Sequence, residues 1–586
     1  MVEFDIVIRN GSVIDGSGGA AQRSDVAING GRIAAIGTVE GRGREELDAG
    51  GCIVTPGFID VHTHYDGQAI WSRRMTPSSN HGVTTAVMGN CGVGFAPCRP
   101  DDRALLVAAM EGVEDIPEIV MTEGLTWEWT TFPQYLDAVD RRPHDIDLCA
   151  YIPHSALRVY VMGERGARRE PATEQDRQAM AALAAEAVRN GALGFATSSF
   201  DIHRRIDGEL IPSFQASEQE LLAIAEAVTQ AGGGLFQMVL HLDQADPRDT
   251  KAAVDMLARI ARSADIPVTF TLAQDNRHTT RWRDVLRWVA EHVAQGAQMR
   301  AQIFPRPVGI IMGHALSINP FSDCPTYKGL SHLSLAERVA RLREPDIRAK
   351  LLSELPDAPA LPIHQLSRDY SHMFPLSDPP NYEPPIHGSV QALAEQQGRL
   401  PEDVAYDLML EDDGQGLLFI AAANYADGNL NAALEMMRDP NVVLGLGDGG
   451  AHYGLICDSS YPTYVLTHLT RDRVGDRIAL TEAIRGLTQI PARLIGLDDR
   501  GLLAVGRKAD INVIDYDRLH LYAPHVAFDL PAGGRRLDQS ARGYRYTLVD
   551  GQIILRDDIF TGCYPGRLVR TGSRPGRSLS STPASA

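Results

Sequence analysis

Apolar positions along the chain follow two different periods. Near the start they alternate with polar ones, the two-residue period of a half-buried strand. FDIVIRNGSVIDG shows it with a break at Asn10-Gly11, and DVAINGGRIAAIG shows it with a break at Gly30-Gly31. Such breaks predict hairpin turns. The pattern returns near the other end, in GLLAVGRKADINVIDYD and YRYTLVDGQIILRD. Chain ends commonly lie close together in a fold. Residues 1–55 and 500–562 therefore predict one small β-sandwich built from both ends.

Between them, short apolar runs alternate with helical stretches, the signature of a parallel α/β sheet or barrel. Eight runs read as strands: Ile53–Val61, Thr84–Met88, Asp147–Ile152, Leu193–Thr197, Leu235–Leu240, Val268–Leu272, Met299–Ile303 and Val442–Leu446. Helical stretches cover Glu174–Asn190, Glu218–Gln230, Thr250–Ser263 and Arg281–Gln295, the last with Val285, Leu286, Val289 and Val293 on one face. The fold class is α/β, a (β/α)8 barrel over residues 56–499 plus the β-sandwich. About 140 residues separate the seventh and eighth runs, far beyond an ordinary connection. This proline-rich stretch, 305–440, reads as an insertion covering the barrel mouth. The Ser/Pro-rich end, within 563–586, predicts a disordered tail.

Of 586 residues, 44% are hydrophobic and 22% charged, which is globular rather than disordered. The formal charge is −19. So acidic a chain lacks the basic patch that nucleic acids or anionic membranes require. No apolar run has the length of a bilayer span, and MVEFDIVIRNGSVIDG lacks a signal-peptide pattern. Seven scattered cysteines form no disulfide framework, which predicts a reducing, cytoplasmic setting.

Three segments carry chemistry. In PGFIDVHTHYDG, His62 and His64 are two residues apart on a strand end, so both imidazoles face one side and can share a metal ion. In TTAVMGNCGVG, Cys91 sits in a glycine-bracketed turn after the second strand and offers a soft thiolate ligand. In NVVLGLGDGGAHYG, Asp448 ends the eighth strand. Each also has a plainer reading: a polar strand end, a buried structural thiol, a turn aspartate. Barrel closure favours the first. It sets strands eight, one and two side by side and gathers all four residues at the C-terminal face, where barrel enzymes keep their sites.

These segments, with HGVTT–GNCG, GALGF at 191–195 and GRKADINVID, resemble the metal-dependent amidohydrolase superfamily, in its D-aminoacylase-type branch of N-acyl-D-amino-acid deacylases. The resemblance implies a distorted (β/α)8 barrel and hydrolysis of an amide-type C–N bond by metal-activated water. It implies His62 and His64 as a metal pair, Cys91 as a cysteine ligand, and Asp448 as ligand and general base. Two departures matter. The histidines that the family places at the ends of strands five and six fall on Val239 and Leu272, unless a two-residue slip brings His241 into the first place or the loop residue His278 swings into the second. Strand four, GFATSS, lacks a bridging lysine. One divalent ion rather than two is therefore expected, and a thiolate with imidazoles favours zinc.

Gln274 stands where aminoacylase-type members carry a lysine for the substrate carboxylate. A neutral amide cannot supply that ion pair, so an N-acyl amino acid with a free carboxylate fits less well, and a neutral amide, lactam, carbamate or cyclic imide stands beside it as the small-molecule substrate. His154 at the tip of strand three and Arg158 one turn later are candidates to contact a substrate oxygen, against an ordinary salt-bridged role. His452 is a candidate to polarise the scissile carbonyl or protonate the leaving amine, against a packed loop histidine. The alternative to hydrolysis is an isomerase, lyase or small-molecule binder on the same barrel. Size and the long insertion suggest a homo-oligomer.

Overall fold

The computed structural model describes residues 2–242, 245–357 and 362–571. Both chain ends enter one nine-stranded sheet. The N-terminal end contributes β1 (Val2–Val13), β2 (Gln22–Asn29), β3 (Arg32–Gly37), β4 (Arg42–Asp48) and β5 (Ile53–Pro56). The C-terminal end contributes Ile511–Ile514, Tyr544–Val549, Gln552–Arg556 and Ile559–Phe560, and β5 pairs with Ile511–Ile514. The alternating apolar residues, among them Ile8, Val26, Ile28, Val54, Ile511 and Leu548, bury in one shared core. Gly30 and Gly31, both at positive φ, turn β2 into β3 as expected. Asn10-Gly11 does not turn. There β1 continues with a register shift between Ile8 and Gly11, because the extra residue is absorbed as a bulge.

The run read as one strand over Ile53–Val61 divides at Gly57. β5 stays in the first sheet, and β6 (Phe58–Asp60) opens the barrel. A side chain at Gly57 would place its Cβ 2.2 Å from Oγ1 of Thr84, so the crossing requires glycine. The barrel continues in β7 (Val83–Met88), β8 (Asp147–Pro153), β9 (Gly194–Ser198), β10 (Leu235–Val239), β11 (Val268–Thr271) and β12 (Met299–Ile303). These strands lie parallel in chain order. The helices between them are amphipathic; in Arg281–Ala294, Val285, Leu286 and Val289 are buried.

The insertion has its own core and a three-stranded antiparallel sheet of β13 (Val308–Met312), β14 (Met373–Pro375) and β15 (Leu418–Ala423). It lies on the C-terminal face of the barrel. There the Ile311 N–H donates to Leu455 O at 2.6 Å and the Gln274 N–H donates to Asn424 Oδ1 at 2.7 Å. The barrel sheet ends with β16 (Val442–Leu444) beside β12. Closure onto β6 comes past the strand ends. The Asp448 N–H donates to His62 O at 3.1 Å, and the His64 N–H donates to Gly449 O at 2.8 Å. The hydrogen bonds that close the barrel are thus made by the very segments that carry the expected ligands.

The tail is ordered further than expected. Gly566 bridges His144 and Leu568 bridges Leu148, so buried Leu568 and its backbone partners anchor residues up to Thr571 on the barrel. The rest of the tail, 572–586, lies outside the described residues. Among the described residues no helix is long and apolar enough to cross a membrane.

Candidate metal centre

Beyond β6 the extended chain aims His62 and His64 to one side, their ring centroids 5.4 Å apart. Both are 1% exposed. Gln302, from β12, accepts the Nδ1–H of His62 at 2.8 Å, which leaves His62 Nε2 as the free lone pair. Cys91 reaches the same point through a tight turn. Gly89 (φ 84°) passes so close to β8 that a Cβ there would lie 2.4 Å from Tyr151 O, and Cys91 itself takes φ 58°. Its N–H donates to Gln237 Oε1 at 3.2 Å. Its Sγ stands 3.4 Å from His62 Nε2 and 3.8 Å from His64 Nε2. Ligand atoms of the three residues all lie within 4.8 Å of one another.

Asp448 completes the group. It adopts φ 46° between Gly447, packed on Asp60, and Gly449, packed on Tyr65. Its Oδ1 lies 3.6 Å from Nε2 of both His62 and His64, and is buried with no hydrogen-bond partner. Burial pushes the His62 pKa down to about 4 and that of His64 to about 3, so both rings stay neutral with lone pairs to give. Burial pushes the Cys91 thiol well above its ordinary range, and the Glu114 and Asp448 charges add to it. A cation among them would reverse that cost. The donor set of two imidazoles, a thiol and an orphaned carboxylate oxygen fits a divalent ion.

Two further side chains reach the group unforeseen. Glu114 ends the helix Arg103–Glu114 and lies against His64 and His452. Burial, with the Asp448 and Asp66 charges, pushes its carboxyl well above the usual range. His203 follows β9, with Nδ1 2.8 Å from Ser198 Oγ. Its pKa is held at about 3, by burial first and then by the neighbouring imidazoles of His452, His64 and His62, beside which a further positive charge is unfavourable. His452 itself, at φ 51°, sits beside the centre with its ring 6.5 Å from that of His64.

The other candidates are occupied elsewhere. His154 has both ring nitrogens engaged, with Thr197 Oγ1 at 2.9 Å and Glu220 Oε1 at 2.8 Å. Arg158 holds both oxygens of Glu220, at 2.5 and 2.6 Å. The pair forms a buried ion cluster behind strands three and four, the salt-bridged role. Gln274 donates to Asp427 Oδ2 at 2.9 Å and Thr279 O at 3.2 Å, and accepts from the Ala426 N–H at 3.3 Å. It pins the insertion to the barrel instead of facing a substrate. Val239 and Leu272 are buried and apolar, while His241 stands by Phe200 and Asp201. The main-chain N–H of His278 donates to Asp275 Oδ1 at 2.9 Å, which fixes the loop that carries it. In the ladder, Thr271 and not Leu272 pairs with Gln302 and shares its inward face.

A protein-family model described as the amidohydrolase family matches residues 45–555. The chain belongs to that family. It is 32% identical over 269 residues to a D-aminoacylase of Alcaligenes xylosoxydans xylosoxydans, covering 46% of this chain and 50% of that one. It is 31% identical over 296 residues to an N-acyl-D-aspartate deacylase of the same organism, covering 50% and 54%. The matched region thus spans about half the length of these relatives. The fold matches the crystal structure of the N-acyl-D-glutamate deacylase from Bordetella bronchiseptica complexed with zinc and a phosphonate inhibitor. The TM-score is 0.63 at 23% identity, over 97% of this chain and 100% of that one.

Proposed function

We propose that this amidohydrolase cleaves an amide-type C–N bond with one zinc ion held by His62, His64, Cys91 and Asp448. The observation that carries the reading is the meeting of both Nε2 atoms, Sγ and the unpartnered Oδ1 at one buried point. The names of the D-aminoacylase and deacylase relatives, and the zinc in the Bordetella protein, support it. A zinc ion bound there supplies Lewis acidity, which lowers the pKa of a water from about 15.7 towards 7 and polarises a carbonyl.

The protein's own groups move the protons. The Asp448 side chain keeps about a fifth of its surface open. It is placed to take a proton from the attacking water and return it to the leaving nitrogen. His452, on the same loop, is placed to donate to the carbonyl oxygen as charge develops there. The burial of the His62 and His64 imidazoles keeps bulk water from their side of the centre, which strengthens each of these interactions.

The substrate is a neutral amide, lactam or carbamate. Among the described residues, the ion pairs that reach Glu114 and Asp448 come from imidazoles, and Gln274 is committed to the insertion. Among the described residues, no guanidinium or ammonium is paired with either carboxyl group to mark a seat for a free carboxylate. Amine release from neutral amides, lactams, carbamates and N-acyl-D-amino acids, with and without zinc, tests this. Zinc-dependent turnover of neutral substrates is expected. A clear preference for N-acyl-D-amino acids would overturn the substrate class, and a zinc-loaded protein inert to all of them would overturn hydrolysis.

A further inference from the structure

The helix Arg103–Glu114 ends with its last side chain inside the centre. Glu114 is 1% exposed. Its Oε1 lies 3.3 Å from His64 Nδ1, and its Oε2 lies 3.4 Å from His452 Nε2. Its main-chain carbonyl accepts the N–H of His452. Neither carboxylate oxygen, nor His64 Nδ1, has a hydrogen-bond partner, so these two contacts are the ones open to them. The next residue, Asp115, turns the chain at φ 49° and accepts from Ser317 Oγ and the Gly454 N–H, each at 2.9 Å. One helix end therefore touches a ligand imidazole, the loop after β16 and the insertion.

A carboxylate is a costly choice at this place. It is buried with no lysine or arginine partner among the described residues. It also sits at a helix C-terminus, where the backbone dipole disfavours negative charge. Packing alone would be served by glutamine or methionine. What a carboxylate adds is a strong acceptor for imidazole N–H groups. An imidazole that gives its Nδ1–H to a carboxylate must present an unprotonated, more electron-rich Nε2 on its far side. For His64 that far side faces Cys91 Sγ and Asp448 Oδ1, at 3.8 and 3.6 Å.

We propose that Glu114 is a positioning residue of the metal centre: by accepting the Nδ1–H of His64 it sets the His64 tautomer for metal binding, and by its contact with His452 Nε2 it holds the His452 ring beside the substrate. His62 obtains the same service from Gln302, so the two ligand imidazoles are oriented by unlike partners, one an amide and one a carboxyl group. The inference rests on the metal-centre reading above.

The test compares full-length wild type with Glu114→Gln and Glu114→Asp. It reads cobalt(II) affinity by chelator competition, the cobalt–thiolate absorption band, and the melting temperature of the metal-free protein. Glu114→Gln is expected to weaken cobalt binding by about 10–100-fold and shift the band, with metal-free melting unchanged or raised. Glu114→Asp, a shorter carboxylate, is expected to recover part of the affinity. Unchanged affinity and band in Glu114→Gln, with a lowered metal-free melting temperature, would reduce Glu114 to a packing residue and overturn the proposal. Affinity falling equally in both variants would overturn it as well. A wild type without any Cys91-dependent cobalt band would instead remove the centre itself, and the Glu114 role with it.

Discussion

Gln302 accepts the Nδ1–H of His62 at 2.8 Å across the barrel, from strand seven to strand one. The bond fixes which nitrogen of His62 faces Cys91. Replacing Gln302 by Leu keeps the volume but frees the ring to change tautomer. Zinc affinity, measured against a chromophoric chelator, is expected to fall about 10–100-fold, with the fold retained.

Asp448→Asn separates binding from proton transfer. The amide oxygen still offers a ligand atom where Oδ1 now stands, 3.6 Å from each imidazole, but it no longer takes a proton at neutral pH. The turnover number is expected to drop by about 10²–10⁴-fold while zinc content stays near that of the wild type. Near-normal turnover in this variant would reject Asp448 as the base.

Gln274 is predicted to act on stability and not on specificity. Its side chain is tied to Thr279, Ala426 and Asp427. Gln274→Ala removes hydrogen bonds to the half-buried Thr279 and Ala426 and the exposed Asp427, at a cost of about 0.5–1.5 kcal/mol each in denaturant unfolding. The ratio of rates on neutral and anionic substrates is expected to stay unchanged.

The buried Glu220 cluster gives a pH signature. Burial works to raise the Glu220 pKa, but hydrogen bonds and charges from His154 and Arg158 outweigh it and hold the group at about 2, below its ordinary 4.5. A carboxylate with a depressed folded pKa stabilises fully above its unfolded value and loses that contribution as pH falls through the folded one. Glu220→Gln is therefore expected to be less stable than wild type at pH 7, by about 3–5 kcal/mol because Arg158 is left buried and unpaired. The gap in unfolding midpoint is expected to narrow as pH falls from about 4.5 towards 2.

Much of the barrel was legible because its strands are buried on both sides and its helices on one, which writes periodic apolar runs into the chain. The spans read for Glu218–Gln230 and Met299–Ile303 coincide with the elements observed. His62, His64, Cys91 and Asp448 were legible because each ends a strand, and barrel order then makes them neighbours. Glu114 and His203 were not, because they arrive on connections whose reach is set by tertiary packing and leaves no periodic trace. His154, Arg158 and Gln274 could not be decided from the sequence for a related reason: a polar residue near a strand end looks the same in sequence whether it faces a substrate or locks a loop. Asn10-Gly11 carries a turn signal that a bulge satisfies equally well, and Gly57, where one apolar run changes sheets, gives no sign in the hydrophobic pattern.

The central claim is that side chains from strands one, two and eight hold a single metal ion. Its most direct test is the zinc content of protein loaded with zinc and dialysed, set beside Cys91→Ala and His64→Ala. About one zinc per wild-type chain is expected, with both variants retaining little. A folded wild type that keeps no zinc, or variants that keep as much as wild type, would contradict the account.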